Sequence, residues 1–256
     1  MIAKAELDGR QVPPDGMAAA MLGGYGHFTA MQVRDGKVRG LELHLARLDA
    51  ANREMFGEPL DGAVIRGYVR HALAGDVPDA SVRVIVRETA DRPSVLVTVR
   101  PPGDMGSGPW RLKPVPYQRS LAHLKHACDF GQAYYQRLVR GQGFDEALLT
   151  GQDGLISEGS ITNLACCDGS AIVWPAAPAL RGITMQLIER HAGAAGMTSR
   201  LEHVRVSDLP RFDAVLVTNS HGVAAVAQVG SLELPLHQEL TGAVRRVYES
   251  ASWDEI

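Results

Sequence analysis

The stretch at residues 146–174 reads EALLTGQDGLISEGSITNLACCDGSAIVW. It holds four short apolar runs, EALLT, LISE, NLACC and AIVW, and the turn sequences GQDG and Asp168-Gly169 separate the members of two successive pairs. Short apolar runs bounded by Gly, Asp and Asn are typical of strands joined by tight turns. We therefore predict four consecutive short strands with antiparallel neighbours.

Helical patterns lie on both sides of these strands. Residues 126–141 predict a helix before them, and LRGITMQLIERHAGAAG predicts a second helix that begins near Thr184 and is closed by Gly193 or Gly196. A final strand, DAVLVT, then leads into the polar loop NSHG at residues 219–222. The second half of the chain is therefore expected to mix helices with antiparallel strands.

The first half of the chain shows the same mixture. LELHLARLDAANREMF predicts an amphipathic helix in which His44 and Arg47 lie one position off the apolar stripe. That stripe consists of Leu41, Leu45, Leu48 and Met55. SVRVIVRE and SVLVTVR, separated by TADRP, predict a hairpin in which Arg83 and Arg87 share one face.

Neither half alternates strand and helix regularly, which favours an α+β fold over a doubly wound parallel sheet. A Pro/Gly-rich segment, PPGDMGSGPW at residues 101–110, and the following KPVPYQRS interrupt the regular patterning. We place a domain boundary near residues 112–122. The prediction is an N-terminal domain of residues 1–117 and a C-terminal domain of residues 118–256.

Composition excludes several classes of partner. The chain has 256 residues, is 45% hydrophobic and carries a net charge of −3 from 26 basic and 29 acidic residues. No Lys/Arg block could follow a phosphate backbone, and no apolar run approaches the roughly 18 residues of a membrane span. The three cysteines form neither a disulfide framework nor a CxxC pair. We expect a cytoplasmic enzyme that binds neither nucleic acid nor membrane.

Lys125 lies in SLAHLKHACDFGQAYY, residues 120–135, where almost no other charge follows it. Most lysines are solvated surface residues. A lysine placed in apolar surroundings instead becomes a nucleophilic amine that can form a Schiff base. His123 and His126 flank it, but no third ligand accompanies them at convincing spacing, so we predict no metal site.

Other residues supply chemistry that suits pyridoxal phosphate. Glu158 follows a strand, and Arg47 lies on the polar side of the first helix. Ile183-Thr184 would begin a helix, where backbone N–H groups and the helix dipole favour an anion. The loop at 219–222 offers further N–H groups through Ser220 and His221. A lysine, a carboxylate, an arginine and N–H-rich loops together would hold the aldehyde, ring nitrogen and phosphate of that cofactor.

Several motifs between about residues 25 and 229 resemble the class IV, or fold type IV, pyridoxal-phosphate enzymes. This group includes branched-chain and D-amino-acid aminotransferases and aminodeoxychorismate lyase. The matching motifs, in order, are YGHFTAMQVRDGKV, HLARL, LKH, GFDEALLTGQDGLISEGSITNL, WPAAPALRGIT and VTNSHG. The resemblance implies a two-domain fold type IV enzyme, D-amino-acid aminotransferase-like, with pyridoxal 5'-phosphate between the domains and a homodimeric assembly.

The resemblance also implies roles for individual residues. Lys125 would form the aldimine, Glu158 would face the pyridine nitrogen, and Arg47 with the helix start Ile183-Thr184 would bind the phosphate. Ser220 and His221 are expected to contact the cofactor as well. The candidates for contact with substrate are Thr29, Arg83, Arg87 and Gly222.

The predicted activity is transamination of an amino acid or amine with a keto-acid acceptor, in which Lys125 moves the α-proton and Glu158 stabilises the protonated ring. Two features depart from branched-chain transaminases, because Phe130 replaces a tyrosine and Met185 replaces an arginine. The lysine followed by histidine and the FTAMQVRDGKV stretch are more similar to aminodeoxychorismate lyase. A pyruvate-releasing lyase is therefore the alternative, and a non-catalytic binding protein on the same fold is a third interpretation.

Overall fold

The computed structural model of the chain describes residues 4–12, 24–74, 78–89, 92–106 and 108–256. The first elements are β1 (Lys4–Leu7), β2 (Arg10–Gln11), β3 (Gly26–Arg34), β4 (Lys37–Arg39), α1 (Leu41–Phe56), α2 (Gly62–Leu73), β5 (Ala80–Arg87) and β6 (Ser94–Arg100). Next come β7 (Trp110–Pro116), α3 (Phe130–Arg140), β8 (Glu146–Thr150), β9 (Ile156–Gly159), β10 (Asn163–Asp168), β11 (Ala171–Pro175) and α4 (Ile183–His191). The last are β12 (Thr198–Glu202), β13 (Ala214–Asn219), β14 (Gly222–Val229), β15 (Leu232–Glu233), α5 (Gln238–Glu249) and β16 (Trp253–Glu255).

The chain forms two compact units. Unit 1 contains Met1–Gly103, Leu124–Cys128 and Ser252–Ile256, and unit 2 contains Asp104–His123 and Asp129–Ala251. The units therefore divide earlier than the predicted boundary at residue 117, and two short segments return to unit 1. The division is earlier because β7 pairs in parallel with both β14 and β8, which makes it a strand of unit 2.

Unit 1 is built on a seven-stranded antiparallel sheet with the order β16-β4-β3-β5-β6-β1-β2. The predicted hairpin is present as β5 and β6, and residues 90–91 of its turn lie outside the described residues. Valines alternate along β5 so that Val82, Val84 and Val86 are buried. The valines pack against α1 and α2, and these contacts form the core of the unit.

Helix α1 confirms the predicted amphipathic helix. Leu41 and Leu48 from its apolar stripe are buried in the core. The helix ends at Gly57, which adopts a φ of 77° and donates its N–H to the Arg53 carbonyl. A residue with a side chain rarely adopts that backbone conformation, so glycine suits the end of this helix.

Unit 2 contains a nine-stranded mixed sheet with the order β12-β11-β10-β13-β14-β7-β8-β9, and β15 pairs with β14. The four strands predicted within residues 146–174 are all present, as β8 to β11. Pairs β8–β9 and β10–β11 are antiparallel, as their turn sequences indicate. Helix α4 also begins where predicted and ends just before Gly193.

Two local predictions differ from the structure. The helix expected over 126–141 begins at Phe130, because residues 125–127 pair their backbone with β3 instead of forming helical hydrogen bonds. The side chains of Phe130 and Tyr134 are 78% and 53% exposed, so these residues do not form an apolar wall around Lys125. The loop NSHG is a tight turn that joins β13 to β14, in which Asn219 pairs with Gly222.

Candidate active site

Lys125 is held against the first residues of β3 in unit 1. The Phe28 N–H donates to the Lys125 carbonyl (2.8 Å), and the Ala127 N–H donates to the Gly26 carbonyl (2.7 Å). A Cβ on Gly26 would lie 2.4 Å from the Val86 carbonyl oxygen, so only glycine fits there. The Lys125 side chain is half-buried, and its Nζ lies 4.8 Å from the centroid of the Phe28 ring.

The same aromatic ring also contacts Arg83. The guanidinium carbon of Arg83 lies 5.1 Å from the Phe28 centroid, because Arg83 on β5 is opposite Ala30 on β3. Arg87, on the same face of β5, is partly buried, and burial lowers its pKa. The structure therefore brings Arg83, one of the predicted substrate residues, to the aromatic ring beside Lys125.

A second polar cluster in unit 1 joins β3 to α1. Arg47 Nη2 donates to Thr29 Oγ1 (2.5 Å), and Thr29 Oγ1 lies 2.7 Å from His44 Nδ1. Thr29 is fully buried and His44 is 3% exposed. Burial, together with the positive charges of Arg47 and Lys125, holds the pKa of His44 well below 6.5. His44 is therefore neutral at physiological pH.

Arg47 has an unusual environment for an arginine. Its Nε atom is buried and has no hydrogen-bond partner in the part of the chain that the structure describes. Burial lowers the pKa of Arg47 to about 10. Buried guanidinium groups are normally paired with an anion. Arg47 therefore has hydrogen-bonding capacity that an anionic ligand would satisfy.

In unit 2, Glu158 forms a buried ion pair that the sequence analysis missed. Arg119 Nη1 donates to Glu158 Oε1 (3.0 Å) and to the Ala122 carbonyl (3.1 Å). The Leu180 N–H donates to the other carboxylate oxygen of Glu158 (3.3 Å). Both oxygens are thus oriented by fixed donors. No sequence pattern indicates this pair, because 39 residues separate its members.

Asn163, for which the sequence also indicated no role, binds the segment that leads into α4. Its Nδ2 donates to the Leu180 carbonyl (2.7 Å), and its Oδ1 accepts the Gly182 N–H (3.2 Å). A Cβ on Gly182 would lie 2.2 Å from Asn163 Oδ1, so this close approach requires glycine. The segment therefore enters Ile183, the first residue of α4, in a fixed conformation.

The start of α4 supplies backbone donors, whereas the His221 N–H in the turn at 219–222 is already used. The first N–H groups of a helix have no acceptor within the helix, so the N–H groups of Ile183 and Thr184 suit an anion. The Thr184 hydroxyl instead donates to the Asn219 carbonyl (2.6 Å). In the turn, the His221 N–H donates to Asn219 Oδ1 (2.8 Å), so this donor is already used within the turn.

Glu146 is the acceptor in a buried cluster of polar groups. It lies on β8, the strand that pairs with the strand of Glu158. It is fully buried and accepts hydrogen bonds from the Ile161 N–H (2.6 Å), the Thr162 hydroxyl (2.9 Å) and the Ser160 hydroxyl (3.2 Å). Burial raises its pKa to about 7, against the lowering effect of these donors. Glu146 thus organises the turn that follows Glu158 directly.

The described residues contain no cluster of three or more His, Cys, Asp and Glu side chains that could hold a metal ion. His123 is exposed, and His126 pairs through its backbone with His27. Within the same residues, none of the helices combines the length and the apolar character needed to cross a bilayer.

Residues 26–229 match the family model for amino-transferase class IV, which covers most of the chain. The chain belongs to the class IV aminotransferase family. No curated protein matches its sequence significantly. This class IV aminotransferase is similar in fold to a hypothetical aminotransferase from Mycobacterium tuberculosis in a PLP-bound form, with a TM-score of 0.83, 22% identity, and coverage of 96% of this chain and 98% of that one.

Two further solved structures share the fold of this class IV aminotransferase. The branched-chain amino acid aminotransferase from Escherichia coli has a TM-score of 0.82 at 17% identity, with 96% of this chain and 92% of that chain covered. A putative 4-amino-4-deoxychorismate lyase from Legionella pneumophila has a TM-score of 0.77 at 18% identity, with 90% and 92% covered. The predicted fold type IV architecture is thereby confirmed.

Proposed function

We propose that this class IV aminotransferase uses pyridoxal 5'-phosphate to exchange the amino group of an amino acid or amine with a keto acid. It would act on these small molecules in the cytoplasm as a homodimer. The observation that supports the cofactor assignment is Arg47, whose buried Nε has no hydrogen-bond partner in the described ranges. A phosphate monoester supplies the negative charge and acceptor oxygens that this guanidinium needs.

The residues predicted from the sequence fit the three parts of the cofactor. Arg47 and the backbone N–H groups of Ile183 and Thr184 would bind the phosphate, with Ser220 and His221 from the neighbouring turn. Glu158 would bind the ring nitrogen, and the Lys125 amine would bond to the aldehyde carbon. When bound, pyridoxal phosphate supplies a conjugated ring that accepts electrons from the substrate α-carbon.

Glu158 would hold a proton on the ring nitrogen through a charge-assisted hydrogen bond. Its orientation depends on Arg119 Nη1, which donates to Oε1, and on the Leu180 N–H, which donates to Oε2. Because both contacts come from buried or backbone groups, the carboxylate would not reorient when the substrate changes. Arg119 therefore acts as a positioning residue for Glu158.

Lys125 would move the substrate α-proton, since its amine would be free to act as a base once substrate has taken its place on the cofactor. The Phe28 ring lies beside this amine, with its centroid 4.8 Å from Nζ. Arg83 contacts the same ring and is therefore the stronger of the two predicted arginines for binding a substrate carboxylate. Arg87 and Gly222 remain candidates for a weaker contact with substrate.

The experiment that tests this proposal is reduction with borohydride after pyridoxal phosphate is added, followed by peptide mapping. The cofactor should become fixed to the peptide that contains Lys125, and the Lys125→Ala variant should remain unlabelled. Lys113→Ala provides a matched control, because Lys113 is a partly exposed lysine on β7 of unit 2. Label on another lysine, or no label in the wild-type protein, would refute the proposal and favour the non-catalytic interpretation.

A lyase that releases pyruvate from aminodeoxychorismate is the second candidate. It is favoured by the LKH and FTAMQVRDGKV motifs, and a putative lyase of this kind shares the fold. The same residues could serve both reactions, since Lys125 would move a proton in each of them. An assay panel that compares keto-acid-dependent amine transfer with pyruvate release would decide between the two activities.

The homodimer is supported by an exposed apolar stripe on α3. Phe130, Tyr134 and Leu138 are spaced four residues apart and are 78%, 53% and 42% exposed. Residues at this spacing lie on one face of a helix, and an exposed apolar face of this kind is typical of an interface between subunits. Light scattering on the purified protein should give the mass of a dimer, and Tyr134→Asp should shift it toward the monomer.

A further inference from the structure

The hydrogen bonds around Thr29 have one direction that gives every donor an acceptor. Arginine has donors and no acceptor, so the Thr29 oxygen accepts from Arg47 Nη2. The Thr29 oxygen has a second lone pair that could accept from Nδ1, but the Thr29 hydrogen would then have no acceptor among the described residues. We therefore take the hydroxyl to donate to His44 Nδ1, 2.7 Å away, which leaves Nδ1 unprotonated and places the His44 hydrogen on Nε2. The chain of donors runs from Arg47 through Thr29 to His44.

This direction depends on a neutral His44. A protonated imidazole would carry hydrogens on both nitrogens, so Nδ1 could not accept and the Thr29 hydroxyl would lose its acceptor. Burial and the nearby charges of Arg47 and Lys125 favour the neutral ring. His44 and Arg47 come from one helix, three residues apart on the same face, and Thr29 comes from the strand that packs against that helix.

We propose that Thr29 and His44 are positioning residues that fix the Arg47 guanidinium for the phosphate of the cofactor. This inference rests on the proposed function, because it takes Arg47 to be a phosphate ligand. Arginine loses considerable side-chain freedom when it is held in one rotamer. Since Thr29 already orients Nη2 in the folded protein, less of that entropy is lost when the phosphate binds. Thr29 would thus serve the cofactor rather than contact the substrate directly.

The test compares two probes that differ only in the phosphate, pyridoxal phosphate and pyridoxal. Dissociation constants for both are measured by absorbance titration of the full-length protein. Thr29→Val removes the hydroxyl and keeps the shape of the side chain. It should weaken the binding of pyridoxal phosphate about tenfold, which is the scale of one hydrogen bond to a charged group. The binding of pyridoxal should be unchanged. Thr29→Ser keeps the hydroxyl and should bind both probes like the wild type.

Two further variants show whether the effect passes through Arg47. In an Arg47→Ala background, Thr29→Val should cause no additional loss of pyridoxal phosphate affinity. Thr98→Val is the matched control, since Thr98 is a buried threonine of the same sheet, 5% exposed on β6. It should change neither dissociation constant. If Thr29→Val does not fold, as judged by circular dichroism, His44→Phe should show the same phosphate-selective loss.

The outcomes separate this inference from the proposed function. If Arg47→Ala weakens both probes equally, Arg47 does not bind the phosphate, and the cofactor assignment fails together with the inference. If Arg47→Ala selectively weakens pyridoxal phosphate but neither Thr29→Val nor His44→Phe does so, the cofactor assignment holds and the positioning role is refuted. Equal losses for both probes in Thr29→Val would likewise overturn it, because a general disturbance of the fold would explain them.

Discussion

Replacing Glu146 by glutamine should remove a pH-dependent part of the stability of the protein. Burial raises the pKa of Glu146 to about 7 in the folded state, from an ordinary value of 4.5. The folded protein therefore holds this proton more tightly than the unfolded chain. The resulting stabilisation is fully present below about pH 4.5 and is lost as the pH rises through about 7. At about 1.4 kcal/mol per pH unit, the difference corresponds to about 3 kcal/mol.

Glutamine is a suitable replacement because the cluster can adapt to it. The side-chain oxygen can accept the Ile161 N–H, and the side-chain amide can donate to the Thr162 hydroxyl in place of accepting from it. The Ser160 hydroxyl already has a second acceptor, Gln136 Oε1, at 2.8 Å. The variant should therefore fold with the same turn and lack only the titration.

The assay is urea unfolding of the full-length protein, freed of cofactor, between about pH 4.5 and 8.5. The wild type should gain about 3 kcal/mol of unfolding free energy relative to Glu146→Gln as the pH falls over this range. Glu233→Gln is the control, because Glu233 is exposed and remains hydrated in both states. A difference that does not change with pH would refute the reasoning. A wild type that instead gains relative stability as the pH rises would show that the three donors outweigh burial.

Two further predictions concern the residues proposed to act on cofactor and substrate. Glu158→Gln should retain pyridoxal phosphate but lose turnover by about a hundredfold, the scale of one strong electrostatic contact, and wild-type rates measured with saturating cofactor would contradict that role. Arg83→Ala should raise KM more for a substrate that carries a carboxylate than for an uncharged amine. The increase should also be larger than in Arg87→Ala, because Arg83 contacts the Phe28 ring beside Lys125. Equal effects of the two variants on both substrates would contradict this.

Most of the regular structure can be predicted from the sequence because periodicity is local. Helix α1 and strands β5, β6 and β8–β11 follow their apolar patterns closely. The same reasoning predicts a helix at residues 126–129, and there the local pattern is overridden. The backbone of Lys125 and Ala127 bonds to Phe28 and Gly26, nearly a hundred positions earlier in the chain. A short window of sequence contains no signal for pairing between residues so far apart.

The candidate site likewise contains residues that the sequence indicates and residues that it does not. Lys125, Glu158, Arg47 and Thr184 lie in the motifs that resemble the class IV enzymes, so the sequence proposes them, and their roles stay predictions. Arg119 and Asn163 were missed, because each acts on a partner that only the fold brings near. Asn163 lies in a strand and bonds to the segment at 180–182, which the next helix follows. An asparagine in that position looks like an ordinary strand end in the sequence.

Residues that the sequence did not indicate hold the predicted site residues in position. Glu158 and Asn163 are joined by a four-residue turn, and both bind the segment around Leu180, one through its N–H and the other through its carbonyl. Glu146 bonds to three consecutive residues of that turn, Ser160 to Thr162. A change in any of these contacts would therefore shift the Glu158 carboxylate and the start of α4 together. The residues proposed to supply the chemistry are therefore held in position by buried polar residues that have no proposed chemical role of their own.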